Sequence, residues 1–97
     1  MRGYLIANIE VTDPAGFERY RAEVPAAIAR HGGRYLVRGG AMDRLENADG
    51  FRRVVVLEFP SLEAARAFYH SADYAPLLKM RTDSSRSEVV LVEGHAG

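Results

Sequence analysis

Cysteine is missing from all 97 residues, which removes disulfides, thiolate metal sites and cysteine nucleophiles together. Net charge is missing too: 13 Lys and Arg are matched by 13 Asp and Glu, and the arginines are spread along the chain rather than gathered in a run. A nucleic-acid or membrane surface needs a concentrated basic field, so neither partner is expected. No long apolar run opens the chain. Met1-Arg-Gly-Tyr-Leu-Ile-Ala-Asn8 meets polar residues at once, too soon for a signal peptide or a membrane span, and a cytoplasmic location is the expectation. There is no G-x-G-x-x-G or phosphate loop, no His/Asp/Glu set at metal-ligand spacing and no serine in a nucleophile elbow. Nucleotide, metal and serine-hydrolase chemistry therefore have no carrier, and no cofactor or metal is expected.

What is present reads as one small globular domain over residues 1–97. The apolar share of 47% and charged share of 27% are ordinary for such a chain. Tyr4 to Val11 alternates with a period of two, the pattern of a strand, with Leu5, Ala7, Ile9 and Val11 on one side. Asp13-Pro14 opens a helix, whose stripe is Phe17, Tyr20, Val24 and Ile28. Pro25 is expected to kink it or start a second segment, and Gly32-Gly33 to close it.

Arg34 to Arg38 follows as a strand, with Ala41 to Leu45 continuing the extended chain beyond Gly39-Gly40 and a turn at Asn47 to Gly50. Arg53 to Phe59, apolar on every residue from Val54 to Leu57, is the strongest strand. Ser61 caps a second helix that buries Leu62, Ala65, Phe68 and Tyr69. After a break at Ser71 to Tyr74 comes a short helical turn through Leu77, Leu78 and Arg81, a polar loop from Thr82 to Arg86, and a last strand from Glu88 to Val92.

Strand, helix, strand, strand, helix, strand is a ferredoxin-like βαββαβ α+β fold with helices on one face of a sheet. Two helices cover one side of four strands. The last two strands are nonetheless apolar on both sides, as strands covered on both faces are. Ile6, Leu36, Val54, Val56, Val89 and Leu91 are assigned to the open face. Six such side chains, at roughly 1.5–3 kcal/mol each, leave about 10 kcal/mol of gross hydrophobic gain unrealised in a lone subunit. A second copy packed sheet to sheet is the simplest cover, so a homodimer is expected.

Several stretches resemble a known family. Tyr4-Leu-Ile-Ala-Asn-Ile-Glu-Val-Thr-Asp-Pro14, His31-Gly-Gly-Arg-Tyr-Leu-Val-Arg-Gly-Gly40 and Val54-Val-Val-Leu-Glu-Phe-Pro-Ser61 are similar to the domain of unknown function 1330 family, as are Ala67-Phe-Tyr-His70 and Leu91-Val-Glu-Gly94. The resemblance runs nearly end to end. It implies the dimeric α+β barrel superfamily, which includes cofactor-free monooxygenases, muconolactone isomerase-like enzymes and haem proteins, the last needing an axial ligand such as His31 or His70; no catalytic role carries over with the fold.

Parity places Arg34 and Arg38 on one strand face, together with Asn8, Glu10, Glu58 and Glu93. Charges in such a layer are paired or face a wet cavity. One reading is structural ion pairing, for example Arg38 with Glu58. The other is a guanidinium pair that holds a carboxylate or enolate, with Asn8, Glu58 and Tyr74 completing a ligand site. His31 and His70, both near helix ends, are candidate general bases, with Tyr20 or Tyr69 beside them to move a proton. The functional expectation is a small-molecule pocket in a homodimer, belonging to a cofactor-free monooxygenase- or isomerase-like enzyme on a small organic acid or aromatic compound. The alternative is a non-catalytic binding or interaction module with structural arginines.

Overall fold

The computed structural model describes residues 1–96. Seven elements follow one another: β1 (Gly3–Val11), α1 (Pro14–Arg30), β2 (Arg34–Arg38), β3 (Arg53–Phe59), α2 (Leu62–Tyr69), α3 (Ala75–Ser84) and β4 (Ser85–Glu93). The strands form one antiparallel sheet in the order β2-β3-β1-β4, the ferredoxin-like arrangement. Leu5, Ala7, Ile9, Leu57 and Phe59 of the sheet meet Phe17, Val24 and Ile28 of α1, Ala65 and Phe68 of α2, and Tyr74 and Leu77, and this layer is the buried core. Among the described residues no helix is long and apolar enough to cross a membrane.

Pro25 lies inside α1 without breaking it. A proline has no N–H to give to the carbonyl four residues back, so the Arg21 carbonyl is left without its helical partner. The Arg38 guanidinium fills the vacancy, donating to that oxygen across 2.8 Å. One arginine of β2 is thereby tied to the middle of α1. Ser61 caps α2 as expected, its hydroxyl accepting from the Ala64 N–H at 3.0 Å.

The polar stretch from Thr82 to Arg86 is not a loop. α3 runs to Ser84 and β4 starts at the next residue. The short hydroxyl side chains turn back on the helix, Thr82 to the Lys79 carbonyl, Ser84 to Met80 and Ser85 to Arg81. The Ser84 carbonyl meanwhile accepts from the backbone N–H groups of Thr12 and Asp13. Polar residues that can satisfy their own helix end need no solvent. Ala41 to Leu45 forms no strand, because β2 ends at Arg38 and the chain leaves the sheet at Gly39, where φ is +67°.

Two register details re-sort the faces. Ala7 pairs with Val89 and Leu5 with Leu91, so Val89 and Leu91 face the helices. Val90 and Val92, 58% and 44% exposed, join Ile6, Leu36, Val54 and Val56 on the open side. By the same register Glu93 pairs with Gly3 and lies outside the open-face set.

The second detail is a bulge in β2. Tyr35 pairs with Leu57 and Val37 with Val56, so Leu36 is the extra residue. One extra residue inverts the side-chain alternation beyond it. Arg34, opposite Glu58, stays on the open face, whereas Arg38, opposite Val55, turns to the helix side.

Candidate functional site

The helix layer does not close on the sheet completely. A space of about 500 Å³, counted out to its solvent-exposed side, remains between α1, α2, α3 and the helix face of the sheet. Its walls are apolar and aromatic, including Ile9, Phe17, Val24, Tyr35, Val55 and Phe68. Arg21, Arg38 and Arg53 mark the open side, at the β2–β3 edge of the sheet. Tyr20, Tyr69, Tyr74 and Arg81 gather against the helices.

The inner group is a hydrogen-bonded cluster. The Tyr20 and Tyr74 hydroxyls are 2.9 Å apart. Arg81 donates from Nε to the Tyr74 hydroxyl and from Nη2 to the Tyr69 hydroxyl, both at 3.4 Å. Arg81 is 4% exposed, and among the described residues no carboxylate pairs with it. Burial works against its charge, but the Tyr74, Tyr20 and Tyr69 oxygens outweigh that and hold its pKa above the ordinary arginine value. Burial, reinforced by Tyr74, drives the Tyr20 hydroxyl far above the usual tyrosine range, so it keeps its proton.

At the open side the Arg38 guanidinium lies 4.5 Å from the Tyr35 ring centre, and that of Arg53 lies 5.8 Å from the Phe17 ring centre. The Arg53 Nε is buried and has no hydrogen-bond partner among the described residues. Burial, with Arg21 and Arg38 as like charges nearby, lowers the Arg53 pKa. Such a group is in want of an acceptor.

Of the residues singled out from the sequence, Tyr20, Tyr69, Tyr74 and Arg38 line this pocket and the others do not. His31 holds the end of α1 to the α2–α3 turn, with Nε2 3.3 Å from Asp73 and its ring on the edge of Phe68. The His31 and Arg30 hydrogen bonds lower the Asp73 pKa. His70 is exposed, against the Tyr69 ring. Asn8 lies on the open face and pins the β3 approach, donating to the Gly50 carbonyl and to Glu88 while accepting from the Arg52 N–H. No three His, Asp or Glu side chains converge for a metal among the described residues.

Glu58 is paired with Arg34 rather than Arg38. Arg34 Nε donates to Oε1 at 2.8 Å and the Tyr4 hydroxyl to Oε2 at 3.1 Å, with Arg2 at 3.8 Å. The Arg34 hydrogen bond, then that of Tyr4, hold the Glu58 pKa below the usual carboxylate range against the opposing effect of burial. A depressed carboxylate contributes stability that is complete above its unfolded pKa and is lost as pH falls through its folded pKa. A Glu58→Gln chain is therefore expected to melt several degrees below the parent at pH 7. The gap between the two melting curves should close as the pH is taken below the ordinary carboxylate range.

Arg81, Arg53 and Arg21 were not picked out from the sequence. Arg81 carried a signal all the same, standing four residues after Leu77 and seven after Tyr74 on the buried side of α3. Arg53 shares strand parity with Val55 and Leu57. Arg21, exposed on α1, carried none.

The chain is similar in fold to several solved structures. RPA0582, a protein of unknown function from Rhodopseudomonas palustris, is 14% identical at a TM-score of 0.74, over 99% of this chain and 84% of that one. A dimeric ferredoxin-like protein of unknown function from Jannaschia sp. CCS1 is 16% identical at 0.73, over 97% and 100%. SnoaB, a cofactor-independent oxygenase from Streptomyces nogalater, is 20% identical at 0.64, over 99% and 95%. At these identities the likeness is one of fold. No curated protein sequence matches significantly. The family model for the domain of unknown function DUF1330 matches residues 2–95, and the chain belongs to that family.

Proposed function

We propose that the chain is a homodimer with one small-molecule pocket per subunit, between its helices and its sheet, that takes a small organic acid or aromatic compound. The observation that carries this reading is the pocket lining itself: an apolar, aromatic space with four arginines around it, one whose buried Nε has no partner among the described residues. Ligand sites are concave and mostly apolar, with a few convergent polar groups.

Dimerisation is supported by the open face, where Ile6, Leu36, Val37, Val90 and Val92 are all more than a third exposed, and by the dimeric Jannaschia protein of the same fold. If the pocket is catalytic, its tyrosines and arginines stabilise a developing oxyanion. The fold shared with a cofactor-independent oxygenase supports a cofactor-free reaction of the monooxygenase or isomerase kind. Tyr20, Tyr69 and Tyr74 with Arg81, and Arg38 with Arg53, are the residues we assign to it.

Calorimetric titration with benzoate and salicylate tests the reading. Saturable binding at one site per chain is expected, weakened at least fivefold in Arg53→Met with little change in melting temperature. A module with structural arginines gives the opposite pair of results: no heat with either acid, and a lower melting temperature in the variant.

A further inference from the structure

Every polar side chain lining the pocket carries a hydrogen to donate. Among the described residues the lining contains four arginines and four tyrosines, and no Asp, Glu, His, Asn, Gln, Ser or Thr. A tyrosine hydroxyl also accepts, so the direction of its hydrogen bonds has to be counted out. The Tyr74 hydroxyl belongs to a residue only 2% exposed and has two partners, Arg81 Nε and the Tyr20 hydroxyl. An arginine only donates. The single Tyr74 proton thus has one acceptor in reach, the Tyr20 oxygen; turned the other way, it would be buried and unsatisfied.

The order is therefore Arg81 to Tyr74 to Tyr20, and the Tyr20 proton is unspent. Tyr69 accepts from Arg81 Nη2 and keeps its own proton in the same way. Two hydroxyl protons, both backed by one buried guanidinium with no carboxylate partner among the described residues, are offered by residues that line the pocket.

We propose that the pocket selects an aromatic ligand bearing an ionised oxygen, a phenolate or its enolate equivalent, whose oxygen accepts from the Tyr20 and Tyr69 hydroxyls. This rests on the reading of the space as a ligand pocket and adds the protonation state of what it holds. Arg81 and Tyr74 act through the two hydroxyls, so they are positioning residues. The Phe17, Tyr35 and Phe68 rings supply apolar walls for the aromatic body. No lining side chain is a base, so a ligand that arrives as the neutral phenol gives its proton to bulk water. Binding then favours the anion and lowers the ligand's own pKa.

The test uses 4-nitrophenol, whose ionisation is visible in its absorbance, and nitrobenzene, its neutral counterpart, on the purified full chain. Bound 4-nitrophenol should titrate at least about one pH unit below the free compound, corresponding to at least about tenfold tighter binding of the anion than of the neutral phenol. Tyr20→Phe and Tyr69→Phe should each weaken nitrophenolate binding about tenfold and leave nitrobenzene binding within about twofold, with melting temperatures reported for both so that a folding defect in one leaves the other to decide. Equal or tighter binding of nitrobenzene, or a bound phenol that titrates at or above the free one, overturns the proposal while the pocket stands. Failure of both compounds to bind overturns the pocket as well.

Discussion

A Val90→Arg chain is expected to sediment as a single folded subunit at micromolar concentrations at which the parent is expected to be a dimer. Val90 pairs across the ladder with Ile6, and Ile6 with Val56, in the middle of the open sheet face. In one subunit Val90 is 58% exposed, so an arginine there extends into water and the fold is spared. In a sheet-to-sheet dimer the same guanidinium is buried against Ile6, Val54 and their counterparts, with no designed partner. Burying an unpaired charge costs several kcal/mol, and about 4 kcal/mol is a thousandfold in dissociation constant. Sedimentation velocity over a concentration series reads the change directly. A parent chain that is itself monomeric at micromolar concentration, or a Val90→Arg chain that dimerises normally, removes the sheet-to-sheet arrangement.

The fold was legible because the hydrophobic periods of β1, α1 and α2 are unambiguous and their boundaries carry proline, glycine and serine at positions with mechanical meaning. Legibility failed where one residue changes parity or where both parities look alike. Val89 to Val92 is apolar throughout, so only pairing with β1 assigns Val89 and Leu91 to the helix face and Val90 and Val92 to the open one. The bulge at Leu36 separates Arg34 from Arg38, and nothing in the alternation of so short a strand announces it.

The Thr82 to Arg86 stretch misled for a different reason. Its hydroxyls satisfy the end of α3 rather than solvent. The candidate site followed the same division. The tyrosines were legible as inward-facing aromatics, whereas Arg38 reaches the pocket only through the bulge, and its tie to the Arg21 carbonyl exists only because Pro25 left that oxygen free.

Arg81→Met is expected to separate ligand binding from stability. The substitution keeps an unbranched chain of similar length and removes a charge that is 4% exposed and paired with no carboxylate among the described residues. Exchanging buried charge for a well-packed apolar side chain is often neutral or stabilising. The ligand-free variant should therefore unfold within about 1 kcal/mol of the parent or above it. The Tyr20–Tyr74 hydrogen bond survives, because it does not include Arg81.

The ligand response is what should disappear. A ligand at one hundred times its dissociation constant stabilises the parent by about 2.7 kcal/mol. In a domain of this size that is a rise of roughly 10–20 °C in melting temperature. With the guanidinium gone, the two hydroxyls lose the charge behind them and the pocket loses its preference for an anion, so the rise given by salicylate should fall to about a third or less. Thermal melts of both chains, with and without salicylate, decide between a binding group and a structural one. A ligand-free loss of about 3 kcal/mol or more would make Arg81 a structural arginine, since a side chain kept for an absent anion has no reason to be missed before the anion arrives.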